Sequence, residues 1–229
     1  MHVCFSCARQ PQEVTLPPTI TRAALFAGAA IASVGLAAAP AQAATITLSE
    51  GHVDVVDIGY EGGALELVLA DGTSGTEVER DPADVLLHVK PEAETTVPNN
   101  SAYSFLGSPG DPVWILPQAL NADLLYAGWS AHELDAGVFR GDTVQLQLTA
   151  VSGPADVSVY DIVNAQPVKQ FDSGDGLPDS VNVSAGDHHH TNWAFQAEGD
   201  YKLTFKATGT LLDGTTVNSD SVDYHFTVG

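Results

Sequence analysis

Three adjacent histidines stand in the run Gly186-Asp187-His188-His189-His190-Thr191-Asn192-Trp193-Ala194-Phe195. The run alternates polar and apolar residues and reads as extended chain. In an extended chain, side chains two apart share a face. His188, His190 and Asn192 are therefore expected on one face, and His189, Thr191 and Trp193 on the other. Two imidazoles on one face can serve one ion, and imidazole is the commonest metal ligand. Far upstream, Gly51-His52-Val53-Asp54 repeats the geometry. His52 and Asp54 share a strand face there, while Val53 and Val55 turn to the core. Together His52, Asp54, His188 and His190 offer three nitrogens and a carboxylate, an ordinary tetrahedral set for Zn2+. Mn2+ ranks second, because it favours more oxygen donors. The competing reading is a solvated turn and a polar strand edge with no ion.

Other residues are weighed against this set. His189 points away from its neighbours, as an exposed or supporting residue. His132 and Glu133, in Gly128-Trp129-Ser130-Ala131-His132-Glu133, are candidates to join the site. His88 and His225 lie in strand-like runs and read as structural. Trp114, Tyr126 and Trp129 fall in an aromatic, proline-rich middle that reads as core packing, with a ligand-facing loop as the alternative. Asp172-Ser173-Gly174-Asp175-Gly176-Leu177-Pro178-Asp179 has oxygen ligands for Ca2+ but lacks the EF-hand spacing, so a Gly/Pro turn is the better reading. There is no GxSxG, HExxH or nucleotide loop. Glu133 is only a formal general base. The chain is expected to bind rather than catalyse, with a metal-dependent hydrolase as a remote alternative.

The elements that must position these residues are strands. Alternating or β-branched runs cover Ala44 to Leu48, His52 to Ile58, Ala64 to Leu69, Val85 to Val89, Thr143 to Thr149, Asp156 to Ile162, Val181 to Ser184, Thr191 to Gln196, Tyr201 to Thr208 and Thr215 to Val228. Turn signals recur every eight to twelve residues or so, including Asp71-Gly72, Gly110-Asp111-Pro112 and Asp213-Gly214. This spacing predicts an all-β, antiparallel sandwich. From Gly141 onward the pattern is immunoglobulin-like without a disulfide. Residues 44–140 then form an N-terminal β part with irregular loops, and 141–229 the sandwich part. No long stretch holds a helical period; Ala83 to Ala93, interrupted by Pro91, is the best candidate for an exception.

The chain has 229 residues and a formal charge of −21. Thr21-Arg22, the apolar run Ala23 to Ala39, Pro40 and Ala41-Gln42-Ala43 follow the order of an export signal, with cleavage expected after residue 43. Cys4 and Cys7 lie in that leader, so the mature chain is expected to have no cysteine and any site must use nitrogen and oxygen. The acidity argues against nucleic acid or anionic membrane as a partner. No membrane span is expected in the mature chain, and Phe226-Thr227-Val228-Gly229 shows no sorting motif. Release, or retention at the surface through another protein, is expected.

Several motifs occur in a fixed order: Gly51-His52-Val53-Asp54, Ala102-Tyr103-Ser104-Phe105-Leu106-Gly107, Val113-Trp114-Ile115-Leu116-Pro117-Gln118, Gly128-Trp129, Ser173 to Asp179, and His188-x-His190-x-Asn192-Trp193-Ala194-Phe195. Together they resemble the actinobacterial surface-anchored proteins of the choice-of-anchor M type. Tyr201-x-Leu203-Thr204-Phe205 through Asp213-Gly214-Thr215 looks like that family's wall-associated repeat. The resemblance implies an extracellular or surface protein found beside ABC transporters of the zinc/manganese type, capturing or handing over metal. The alternative it leaves is a structural or adhesive cell-wall module. Possible partners are the transporter components or other wall proteins.

Overall fold

The structure is a computed structural model describing residues 45–229. The expected export leader, its expected cleavage point and Cys4 and Cys7 lie outside the described residues. The described residues form one compact unit.

The alternating runs become strands: β1 (Ile46–Leu48), β2 (Gly51–Glu61), β3 (Ala64–Asp71), β4 (Val78–Arg80), β5 (Val85–Val89), β6 (Glu94–Thr96), β7 (Pro112–Leu116), β8 (Leu125–Ser130), β9 (Phe139–Ser152), β10 (Val157–Val163), β11 (Gln166–Asp172), β12 (Asp179–Ser184), β13 (His188–His190), β14 (Asn192–Phe195), β15 (Gly199–Leu211), β16 (Thr216–Asn218) and β17 (Val222–Val228). They build three sheets. The first runs β1-β5-β17-β15-β9-β12, with β16 on β15; the second runs β11-β10-β14-β7-β6; the third runs β13-β8-β2-β3-β4.

Period-two burial explains the long strands. In β15, Tyr201, Leu203, Phe205 and Ala207 turn inward and the residues between them face out. Phe205 pairs with Leu148 and Ala207 with Leu146 of β9, so both strands bury the same face. Aromatic contacts join the first sheet to the second: Trp193 lies 6.2 Å from Phe205 and 5.9 Å from Phe226, and Phe171 lies 5.5 Å from Phe205, between ring centroids. Each such fully buried side chain contributes roughly 1.5–3 kcal/mol.

Three expectations are corrected. The sheets are mixed rather than antiparallel: β1/β5, β5/β17 and β2/β8 pair in parallel. Both halves enter every sheet, with β1 and β5 extending the first, β6 and β7 the second, and β13 the third. The interleaving accounts for the parallel pairs, since strands far apart in sequence can meet in either direction, whereas tight hairpins force them antiparallel. Ala83 to Ala93 is not one helix. Prolines at 82 and 91 start two single 3-10 turns, Pro82–Asp84 and Pro91–Ala93, on either side of β5. Finally, Thr215 to Val228 breaks between β16 and β17, where Ser219 Oγ accepts the Ala207 N–H at 2.8 Å. A third 3-10 segment covers Ser101–Leu106. Among the described residues, no helix is long and apolar enough to cross a membrane.

Candidate metal centre

The site lies on the polar face of the third sheet. The histidine run crosses between sheets. His188, His189 and His190 pair with Ser130, Trp129 and Gly128 of β8. At Thr191 the chain leaves for the second sheet, where Asn192 and Trp193 pair with β10. Thr191 Oγ donates to the Tyr160 carbonyl at 2.8 Å and anchors the crossing. The expected shared face therefore holds for His188 and His190 but not for Asn192. Asn192 accepts the Gln118 N–H at 2.9 Å and donates to the Tyr160 carbonyl at 3.0 Å, so it belongs to the second sheet.

Register does the rest. Gly128 of β8 pairs with His190 on one side and with Asp54 of β2 on the other. A row His190–Gly128–Asp54 therefore has no side chain at its centre. His52 pairs with Tyr126 in the row on one side, and His188 with Ser130 in the row on the other. The His190 ring lies against the bare glycine. A Cβ at Gly128 would come within 2.4 Å of the His189 carbonyl oxygen and 2.9 Å of His190 Nδ1. Gly72 plays a similar part from the other side, where a Cβ would meet His52 Nδ1 at 2.4 Å. Asp71 fixes that turn: its carboxylate accepts from Thr73 N at 3.0 Å and from Arg80 Nε at 2.6 Å.

All four residues expected from the sequence, His52, Asp54, His188 and His190, converge. One donor atom from each lies within 4.8 Å of all the others. His52 Nε2 lies 3.2 Å from His188 Nε2, His188 Nε2 lies 2.8 Å from Asp54 Oδ1, and His52 Nε2 lies 3.7 Å from Asp54 Oδ2. Tetrahedral ligands at 2.0–2.1 Å from zinc stand about 3.3 Å from one another, and the three spacings straddle that value. The imidazole centroids are 5.2, 4.9 and 4.8 Å apart, with planes inclined at 69°, 65° and 73°. Rings so inclined can aim nitrogens at a common point. This group could hold a metal ion.

Burial and charge sharpen the picture. Asp54 is 1% exposed. Asp54 Oδ2 and both ring nitrogens of His190 are buried with no hydrogen-bond partner. Buried polar atoms are nearly always paired, and an orphan costs about 1–3 kcal/mol. Burial pushes the Asp54 carboxyl up, against the downward pull of His188 and His52. Burial, reinforced by His188 and His52, pushes the His190 imidazole down to about 4. His190 is therefore neutral at neutral pH, the form that ligates a metal. The ring also stacks on Tyr126, centroids 3.6 Å apart and 12° from parallel, which fixes its plane. His52 and His188 are 29% and 43% exposed at the side chain, so solvent reaches the cluster from one side.

His189 points to the opposite face, as expected. Its Nε2 lies 3.0 Å from both Asp161 oxygens and its ring packs against Trp129. The hydrogen bond to Asp161 raises its pKa. His132 and Glu133 do not join the imidazoles: His132 Nδ1 contacts Ser130 Oγ at 2.5 Å, and Glu133 belongs to a separate group with Asp57 and Glu79. Trp114 and Trp129 are buried core, whereas Tyr126 supports the site. In the acidic loop, Lys169 Nζ donates to Asp172 at 2.7 Å and also to Asp175, so an ammonium holds the carboxylates considered for Ca2+.

Two features were missed: the bare glycines at 72 and 128, and Asp57. β2 carries a bulge, its register shifting between Asp54 and Asp57. One extra residue resets the alternation, so Asp57 returns to the face of Asp54. The sequence holds the trace, because Val55-Val56 is an apolar doublet inside an alternating run, and both valines are fully buried. Against known proteins, no family model, curated protein or solved structure matches the chain.

Proposed function

We propose that this protein is an exported binder of a divalent transition metal, Zn2+ first and Mn2+ second, serving an ABC-type metal uptake system at the cell surface. The observation that carries the reading is the orphaned donor set: Asp54 Oδ2 and both His190 nitrogens are buried and unpartnered, and one donor atom from each residue gathers with His52 and His188. A cation supplies what the carboxylate oxygen and one of the His190 nitrogens lack. Three imidazoles and one carboxylate favour zinc, and four protein ligands fill a tetrahedron. No position is left open for a reacting water, which favours binding over catalysis. The exposed edges of His52 and His188 provide a way in and out for the ion, as capture and hand-over require. Export, the transporter association and the wall location rest on the leader pattern and the resemblance set out above. For the C-terminal half we retain an immunoglobulin-like sandwich, supported by the aromatic packing of β15 and β17 on β11 and β14.

One observation favours a second reading, a structural site in a wall module. Asp54 and His188 are 134 residues apart in sequence, so a shared ion crosslinks the first strands to the late ones and stabilises the fold. Competition titration of metal-free protein against a zinc chelator separates the readings. Capture predicts tight one-to-one binding, lost in His52→Ala and His188→Ala, and zinc that passes to a competing acceptor within minutes. Zinc that raises the melting temperature but never leaves supports the structural reading. Unchanged affinity in both variants defeats the site.

A further inference from the structure

The same polar face carries a second group of donors. Asp57 of β2, Glu79 of β4 and Glu133 from the turn after β8 each bring a carboxylate oxygen within 4.8 Å of the others. Carboxylates often gather on an acidic surface, so proximity alone decides nothing. Asp57 adds the second observation. It is 1% exposed, and its Oδ1 is buried without a hydrogen-bond partner. A buried carboxylate oxygen with no donor has given up its hydration for nothing, unless a cation stands there. Among the described residues, no lysine or arginine pairs with Asp57, Glu79 or Glu133. The ion-pair contact of Asp57 is His132, whose Nδ1 is 4.0 Å from Oδ1 and is already engaged by Ser130 Oγ. Glu133 reaches back over β2, where a Cβ at Gly59 would stand 3.9 Å from its Oε2.

We infer that Asp57, Glu79 and Glu133 form a second cation site, distinct from the imidazole cluster, for a hard divalent ion of the Ca2+ or Mn2+ type. The donor atoms are all oxygen, which suits these hard ions better than zinc. Asp57 is the fixed ligand, held by the bulge. Glu79 and Glu133 are exposed and can close on an ion whose remaining positions water fills. A half-open site of this kind binds with a dissociation constant of about 10–1000 µM. The two sites share β2 and stand about 7–10 Å apart along it. The inference is independent of zinc at the first site.

Isothermal titration calorimetry tests it. The imidazole cluster is first saturated with Zn2+, and CaCl2 or, separately, MnCl2 is then added to wild type, Asp57→Asn and Glu133→Gln. One equivalent of either ion is expected in wild type, with at least tenfold weaker binding in both variants. Glu133 is exposed, so Glu133→Gln decides the matter even if Asp57→Asn fails to fold. Absence of saturable binding by either ion in wild type, or unchanged binding in Glu133→Gln, overturns the site. The variants leave the imidazoles untouched. If the wild type takes no Zn2+, the same titrations on metal-free protein read the second site alone, so the two failures remain distinguishable.

Discussion

His190 makes the cluster costly without an ion, and His190→Phe should show it. Phenylalanine keeps the stack on Tyr126 and lies over the bare Cα of Gly128, but removes both unpartnered nitrogens. The orphaned atoms cost about 1–3 kcal/mol. The slightly larger ring returns part of that, so metal-free His190→Phe should be more stable than wild type by about 1 kcal/mol at pH 7.5. Acid widens the gap. The folded pKa of His190, pushed down to about 4, lies below the unfolded value of 6.5. Between those values the unfolded chain holds the proton and the folded chain does not, so wild type loses stability as pH falls. The full shift bounds the loss at pH 5 at about 2 kcal/mol, and solvent at a part-exposed ring reduces it to about 1. Asp57, raised by burial to about 6, acts oppositely, but it is present in both proteins and cancels in the difference. Urea titration of metal-free protein at pH 7.5 and pH 5 measures both gaps. Zinc at one hundred times its dissociation constant should add about 2.7 kcal/mol to wild type and nothing to the variant. A variant that is less stable without metal, with an undiminished zinc shift, refutes the reasoning.

The adjacent histidine should behave in reverse. His189 has a raised pKa from Asp161, so its contribution is full below the unfolded value and fades as pH rises through the folded one; His189→Ala should cost about 0.5–1 kcal/mol at pH 5, less at pH 8, and leave zinc affinity within about twofold by chelator competition. Gly128→Ala puts a methyl into the His189 backbone, which cannot move aside cheaply, so β13 must shift; zinc affinity should fall at least tenfold and the melting temperature by several degrees. Asp71→Asn breaks the Arg80 pair and loosens the turn behind His52, costing about 1.5–3 kcal/mol at pH 7 by urea titration. Despite burial, the bonds from Thr73 and Arg80 hold the Asp71 carboxyl below the usual carboxylate range, so the penalty should shrink as pH drops through that lowered value.

Period-two alternation was enough to pair the residues of the cluster. It put His52 with Asp54 and His188 with His190, because each pair sits two apart on a real strand. It could not show that β13 and β2 flank β8, since that pairing joins strands far apart in sequence. Nor could it show that Gly128 falls between His190 and Asp54, because register is a long-range property. Asn192 was misplaced because one strand was read where the chain changes sheets at Thr191. Asp57 was missed because regular alternation puts residues three apart on opposite faces, and only the Val55-Val56 doublet marks the bulge. The antiparallel expectation came from short turns, which govern neighbours such as β10 and β11 but not β2 and β8.

Zinc-edge anomalous diffraction from crystals grown with one equivalent of Zn2+ tests the central claim most directly. The account predicts a single strong peak at 2.0–2.2 Å from one nitrogen each of His52, His188 and His190 and one oxygen of Asp54, within about 0.2 Å. A zinc peak elsewhere, with those three imidazoles bare, contradicts it.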